Sequence, residues 1–461
     1  MSAISAILWR GFSFLYGLVG MAGFIAAMAR DGTLFTKPSQ KETDQVAHAQ
    51  NELWDLKRSP MGLKHKFFQF RSERRLHYVV NAGIENPNNV IIFIHGFPNS
   101  WVLWKHLLIS SKLSQNSVLI ALDLPGYGGS ISLPDHGPKS VLEAITKFVL
   151  SMRREYLQAD GKVLIVAHDW GGIIAARLAS EASQLVDRFI IAGAVIPRHV
   201  YANAQRRIAS SKQMLHTALR WPPSPRLLAR ASTNLSPVLS QLGCSYYIFV
   251  FNLPWPLPHC LGWMGNMWFL RTTHRVQASN LNREASNAEA AERMAADIGP
   301  GTLQNEDWPA PQYPMRVWDG GWSEKIRLYR EGLVLGDWEK SLGTIVALNE
   351  LKESQSHRRH SGTGVGLFDE GPPGALKTAA TIVYGRNDPA FDPQLCLEGI
   401  SDYLTKDSQV VFLEKGGHWL PSEEEGREVL ERLIIWSLED ERVSFKKNLE
   451  DFPDIRILVE K

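Results

Sequence analysis

Apolar positions along this chain fall into two kinds of run. Val90–Ile94, Val118–Leu122, Val163–Ala167, Phe189–Val195, Ala380–Tyr384 and Gln409–Leu413 are short stretches dominated by β-branched and aliphatic residues. Near-continuous apolarity over so few positions predicts strands covered on both faces, as in a parallel sheet. Trp101–Leu113, Val141–Leu157, Pro393–Leu404 and Ser422–Leu438 lie between or after them and have helical character. Phe67–Phe70 and Leu76–Val80 alternate instead, which predicts antiparallel strands at one edge. The whole pattern predicts an α/β fold with a mostly parallel sheet of about eight strands.

The alternation stops at Pro197. Residues 198–343 are rich in Trp, Pro and Arg and show helical patches without a buried strand. The expected organisation is an N-terminal segment over residues 1–35, a sheet domain whose first part is 60–197, a helical cap inserted after the sixth strand over 198–345, and the second part of the sheet domain over 375–440. Thr33–Gln50 is polar and reads as a linker, Glu52–Leu56 as a short helix, and Ser354–Gly374 as a surface loop. Tyr246–Leu270 carries no Asp, Glu, Lys or Arg, and Pro254, Pro256 and Pro258 speak against one continuous helix there. This stretch reads either as the packed interior of the cap or as a surface lying against a membrane.

Gly11–Ala29 is an uncharged run bounded by Arg10 and Arg30, close to the roughly 20 residues that span a bilayer. It has no polar face of the kind a soluble surface helix shows. Two readings compete: an uncleaved membrane anchor, and a signal peptide cleaved at Ala27-Met28-Ala29. The three cysteines, Cys244, Cys260 and Cys396, are far apart and odd in number, so they form neither a disulfide framework nor a metal motif. Reduced thiols favour the anchor. The expectation is a single-pass anchor, with the endoplasmic reticulum as the membrane and the catalytic domain facing the cytosol. Asn234-Leu235-Ser236, followed by Pro237, is the only glycosylation sequon. A formal net charge of +2 over 461 residues gives no reason to expect a nucleic-acid partner.

The chemistry concentrates at strand ends. In Ala167-His168-Asp169-Trp170-Gly171, small residues flank a sharp strand-to-helix turn with Asp169 at its apex. A carboxylate placed there can attack an sp³ carbon bearing an oxygen or halogen leaving group, making an alkyl ester that water then cleaves. The plainer alternative is a solvated aspartate capping a helix. The next requirement is a base, and His418 follows a strand in Gly416-Gly417-His418-Trp419. Asp388, after the preceding strand, is the candidate to orient its imidazole, with Asp392 as a rival. The backbone N–H groups of Phe97 and Trp170 are the candidate oxyanion hole. His95 reads as a brace for its loop and Asp123 as structural.

These residues resemble the epoxide hydrolases of the α/β-hydrolase superfamily. The resemblance runs through His95-Gly96-Phe97-Pro98, Asp-x-Pro-Gly-Tyr-Gly-x-Ser at 123–130, His168-Asp169-Trp170-Gly171-Gly172, Asp388 and Gly417-His418-Trp419. It covers roughly residues 60–440, strongly in the sheet domain and weakly in the cap. It implies a carboxylate nucleophile, an Asp–His pair, and two cap tyrosines that hydrogen-bond the epoxide oxygen. Tyr247 fits the first position, in a Tyr-x-x-x-Phe-x-x-Pro pattern where Asn252 stands for the usual Gln; adjacent Tyr246 is one residue out of register. Tyr329 fits the second, followed by Arg330, although its surroundings depart from the family pattern. The implied reaction turns a lipophilic lipid or xenobiotic epoxide and water into a vicinal diol, with no cofactor and no metal. Two other functions stay open. One is a dehalogenase acting on haloalkanes or haloacids with the same aspartate and Trp170 as halide donor. The other is a catalytically silent membrane-bound binding protein.

Overall fold

The computed structural model describes residues 3–71, 74–81, 87–220, 223–279, 286–300, 313, 319–358, 371–439 and 444–461. Helix α1 (Ala3–Arg30) is followed by α2 (Gln40–Trp54). The polar segment expected to be a linker is therefore helical from Gln40 onward. Ser39 caps it by accepting from the Glu42 N–H, and its last turn buries Leu53 and Trp54. Polarity concealed this helix, because its fully buried residues are confined to its last turn.

Strands β1 (Leu63–Arg71) and β2 (Arg74–Asn81) pair antiparallel, and β3 (Asn89–Ile94) begins the parallel part. The helix expected over 101–113 is broken into a 3₁₀ turn at Trp101–Trp104, then α3 (Lys105–Leu108) and α4 (Ser111–Ser114). Then come β4 (Ser117–Leu122), α5 (Pro138–Tyr156), β5 (Val163–His168), α6 (Trp170–Glu181) and β6 (Arg188–Ala192). The chain next leaves the sheet for a series of helices. These are α7 (Pro197–Ala218), α8 (Pro225–Cys244), α9 (Tyr246–Phe251), α10 (Leu257–Cys260), α11 (Met264–Ser279), α12 (Asn287–Ile298), α13 (Trp322–Lys325) and α14 (Leu342–Arg358). The proline-rich stretch is accordingly three separate helices. The loop expected from Ser354 is still helix as far as Arg358; residues 359–370 lie outside the described residues.

The chain returns through β7 (Ala380–Gly385), α15 (Pro393–Leu397), β8 (Gln409–Leu413), α16 (Glu424–Leu438), α17 (Phe445–Asn448) and β9 (Ile455–Glu460). The nine strands form one sheet in the order β1-β2-β4-β3-β5-β6-β7-β8-β9. β3 to β8 are parallel, and β9 closes the far edge antiparallel to β8. β9 lies beyond the region assigned to the sheet, and its residues alternate between half-buried and exposed as befits an edge.

Apolar side chains cover both faces of the sheet. α5 and α6 supply Val141, Ile145, Phe148 and Ile174 to one face. The 3₁₀ turn, α3 and α16 supply Trp101, Trp104, Leu107, Leu430 and Leu433 to the other. The first cluster runs on without a break into the helical insertion through Val250, Phe251 and Trp322, and into α1 through Met21, Phe24 and Met28.

Candidate active site

The turn after β5 sets the geometry. Asp169 has φ 52° and ψ −118°, a conformation uncommon for a residue with a side chain, and it projects the carboxylate off the strand end. Two glycines make room for it. A Cβ at Gly96 would collide with the Asp169 carboxylate, and one at Gly171 would collide with the Ile94 carbonyl oxygen. Asp169 is buried and does not cap α6 with its side chain, unlike the solvated N-cap alternative. The Phe97 N–H donates to its Oδ1 at 2.7 Å, and the Trp170 N–H also bonds the carboxylate.

His418 lies on the other side of the carboxylate. Its Nε2 is 3.7 Å from Asp169 Oδ2. Its Nδ1 is 2.8 Å from Asp388 Oδ2. The Ala390 N–H donates to the second oxygen of Asp388 at 2.8 Å. Asp392 is engaged elsewhere, capping α15 through the N–H groups of Gln394 and Leu395. Burial alone would lower the His418 pKa, but the nearby Asp388 and Asp169 carboxylates raise it to about 9. Asp169 is pushed above the usual carboxylate value by burial, against the pull of His418 and the two backbone donors.

His95 braces its loop, as expected. Its Nδ1 is 2.8 Å from the Gly96 carbonyl, and its Nε2 accepts from the Leu124 N–H at 3.0 Å. Asp123 accepts from the N–H groups of Trp101 and Gly129 and bonds His77 Nδ1 at 2.7 Å, a structural junction.

The insertion brings both tyrosines to this place. Tyr329 ends a 3₁₀ turn, Ile326–Tyr329, and its ring meets Trp170 at 4.6 Å and Phe97 at 5.4 Å between centroids. Tyr247 lies in α9 with its ring 5.9 Å from that of Tyr329. Adjacent Tyr246 turns toward α1 and packs on Phe24 at 5.3 Å. Asn252 ties the two pieces together, donating from Nδ2 to the Tyr329 carbonyl at 3.2 Å. Arg330 does the same from the other side, donating to the carbonyls of Phe251 and of Leu253, the latter at 2.9 Å. Burial, aided by the Asp169 charge, raises the pKa of both phenols, so they remain O–H donors at neutral pH.

Asp169, His418, Tyr247 and Tyr329 all line one cavity of about 290 Å³. A second cavity of about 390 Å³, bordered by Asn99, Lys105, Glu292 and Arg427, touches none of them. The first cavity also takes walls that the sequence did not point to: Phe24 from α1, and Trp268, Phe269, Thr272 and Val276 from α11. Two polar supports behind His418 were equally hidden. His168 Nε2 lies 2.8 Å from the His418 carbonyl, and Glu423 accepts from the Gly417 N–H at 2.8 Å. The position of His168 beside Asp169 was the one available signal.

Comparison with known proteins agrees with this architecture. Residues 89–425 match the alpha/beta hydrolase fold family. Epoxide hydrolase 2 of Caenorhabditis elegans is 32% identical over 130 residues, 28% of this chain and 34% of that protein. Epoxide hydrolase 4 of Mus musculus is 28% identical over 194 residues, 41% of this chain and 50% of that protein. The chain thus aligns with a third to a half of the length of these relatives. The crystal structure of the Cif epoxide hydrolase from Acinetobacter nosocomialis superposes with a TM-score of 0.53 at 14% identity, covering 88% of this chain and 98% of that one. With a family match over most of its length, a mainly parallel sheet and a buried Asp169 at the β5 turn, the chain belongs to the alpha/beta hydrolase fold family.

Proposed function

We propose that the protein hydrolyses an epoxide to a vicinal diol through an alkyl ester on Asp169. One observation carries the reading: a buried carboxylate, a carboxylate-paired histidine and two tyrosines border the same cavity. Phe97 and Trp170 engage the carboxylate from the backbone, with Oδ1 held by Phe97, which leaves Oδ2 to attack an epoxide carbon. As that C–O bond forms, the ring C–O bond breaks, and its oxygen develops negative charge. The O–H groups of Tyr247 and Tyr329 stabilise this charge.

His418 serves the second step. Esterification removes the Asp169 charge, one of the influences that hold the His418 pKa high, so the pKa falls and more of the imidazole is unprotonated and able to accept a proton once the ester exists. It takes a proton from water, the hydroxide adds to the ester carbonyl, and the Phe97 and Trp170 N–H groups hold the tetrahedral oxyanion. Asp388 keeps the imidazole oriented and stabilises its charged form. The tetrahedral intermediate then collapses with cleavage of the bond between the acyl carbon and the alkyl oxygen. The two protons of the water end on the two oxygens of the diol, one of them passed on by His418, and Asp169 is restored as a carboxylate that has taken up the water oxygen.

The test is a single-turnover reaction of excess full-length protein in detergent with an aryl epoxide and a long-chain epoxide, followed by rapid quench and peptide mass analysis. The expected result is an adduct on the peptide containing Asp169 that decays to diol and persists in His418→Gln. Halide release from chlorinated substrates, with no adduct from either epoxide, would instead establish dehalogenation.

The helix α1 is proposed as the membrane anchor. Residues Ala6–Arg30 are long and apolar enough to cross a bilayer, and Ile7, Leu8, Leu15 and Val19 are exposed along its outer face. Its inner face packs on the insertion, where the Phe12 and Tyr16 rings meet Phe249 and Met28 meets Gly265. We therefore read the anchor as drawing α9 and the start of α11 to the bilayer with it. Flotation of the full-length protein with liposomes, lost on removing residues 1–35, is the expected outcome.

A further inference from the structure

α1 is built into the wall of the cavity. Along one stripe it approaches α9 closely: a Cβ at Gly17 would lie 2.6 Å from the Phe249 carbonyl oxygen, and one at Gly20 would lie 2.7 Å from Val250. Polar pins hold it at its middle and just past its C-terminal end. The Tyr16 hydroxyl donates to the Leu242 carbonyl at 3.2 Å, and the Trp268 indole N–H donates to Asp31 at 2.9 Å. Between these pins Phe24 is 3% exposed, with its ring 5.3 Å from Tyr246, 5.3 Å from Phe269 and 6.0 Å from Trp268. Phe24 borders the same cavity as Asp169 and His418. Opposite the stripe, Leu15 is 64% exposed and Val19 68%. One helix thus presents an apolar outer face and closes the substrate cavity with its inner one.

Resting on the epoxide-hydrolase reading, we infer that Phe24 determines how long an apolar chain the cavity accepts, and that the substrate is an epoxide carried on an extended hydrocarbon chain. The aromatic surroundings of Phe24, with Phe269 and Trp268, offer that chain dispersion and desolvation but no ionic partner. Thr272, Thr273 and Val276 of α11 border the cavity alongside Phe24, and Val276 is 38% exposed. A substrate tail directed between these two helices would emerge beside the apolar outer face of α1. Anchoring and substrate selection would then depend on the same helix.

The test compares a long-chain fatty epoxide with a small aryl epoxide, using the full-length protein in detergent. Phe24→Ala and the milder Phe24→Leu enlarge the cavity, and Phe24→Trp narrows it. The expected result is a change of about 10-fold in the ratio of the two kcat/KM values, upward for the first two and downward for Phe24→Trp, on the scale of a few methylene groups gained or lost in an apolar pocket. Leu15→Ala, on the outer face, leaves the ratio unchanged. The same variants are titrated with a non-reactive fatty amide and with benzamide, so the ratio of Kd values reports the wall without any turnover. Absence of diol with a shifting Kd ratio would overturn the epoxide reading and leave the role of α1 standing. A Kd ratio constant within twofold across the folded Phe24 variants would overturn the role of α1, whatever the reaction.

Discussion

Asp169 and Tyr329 border the same cavity but are held there in different ways. Asp169, Asp388 and His418 sit on turns that follow directly from strands, and those turns are bonded into the sheet: the Asp169 N–H donates to the Ala192 carbonyl and the Asn387 N–H to the Gly416 carbonyl. The tyrosines sit on a six-residue helix and a 3₁₀ turn, joined by Asn252, Arg330 and contacts between rings. The aspartates and the histidine are fixed by backbone, the tyrosines by side chains. Changes among the former should affect bond making and breaking, whereas changes among the latter should affect substrate positioning and leaving-group stabilisation.

Asp169→Ala tests this division most strongly. Removing the proposed nucleophile should lower diol formation by about 10⁴-fold or more, because it supplies the carboxylate that would form the ester. A residual rate within tenfold of the wild type would mean that the cavity uses another nucleophile. His418→Gln comes next. Turnover should fall by about 10³-fold while ester formation slows by less than about tenfold, since the general-base role proposed for His418 belongs to the second step. Rapid-quench kinetics separate the two, and equal losses in both would place His418 in the first step as well.

Tyr329→Phe moves the comparison to the insertion. Loss of one hydrogen bond to a developing alkoxide is worth about 1.5–3 kcal/mol, or roughly 10- to 150-fold in ester formation, with hydrolysis of the preformed ester unchanged. A matching loss in both steps would place the phenol near the tetrahedral intermediate instead. Asn252→Ala removes the tie between α9 and Tyr329 together with the Nδ2 hydrogen bond to the Ile248 carbonyl, and a loss of less than about tenfold in ester formation is expected, from bonds worth about 1 kcal/mol each. An effect as large as that of Tyr329→Phe would make the tie as important as the hydroxyl.

The smallest effect is on stability. His418 is raised from 6.5 to about 9 in the folded protein, so its contribution is fully present below pH 6.5 and is lost as pH rises through about 9. The wild-type melting temperature should decline across that window. Asp388→Asn, which removes the principal charge partner, should flatten the decline; an unchanged slope would assign it to other groups.

The same division explains what could be read from the sequence. The strand-end residues stand beside near-continuous apolar runs and glycine-rich turns, so Asp169, Asp388 and His418 were recognisable one by one. Tyr247 was legible only as part of a pattern, and Tyr246 beside it differed by nothing local; the two separate because one side of α9 faces Tyr329 and the other faces α1. Phe24 carried no signal, being one apolar residue in an uninterrupted apolar run. The polar helix α2 was missed because its stability comes from capping by Ser39 and from contacts such as the Trp54 indole N–H to the Ala295 carbonyl, 241 residues away.

By itself, the sequence determined the α/β alternation, the place of the insertion and the carboxylate at the β5 turn, because strand periodicity and tight-turn sterics act over a few neighbouring residues. Only the tertiary structure decided that Tyr247 packs against Tyr329 while Tyr246 packs on Phe24, that Asp388 and not Asp392 pairs with His418, and that Phe24 of the N-terminal helix borders the cavity. Those choices depend on packing and hydrogen bonds between segments far apart in the chain, whose relative placement no local pattern encodes.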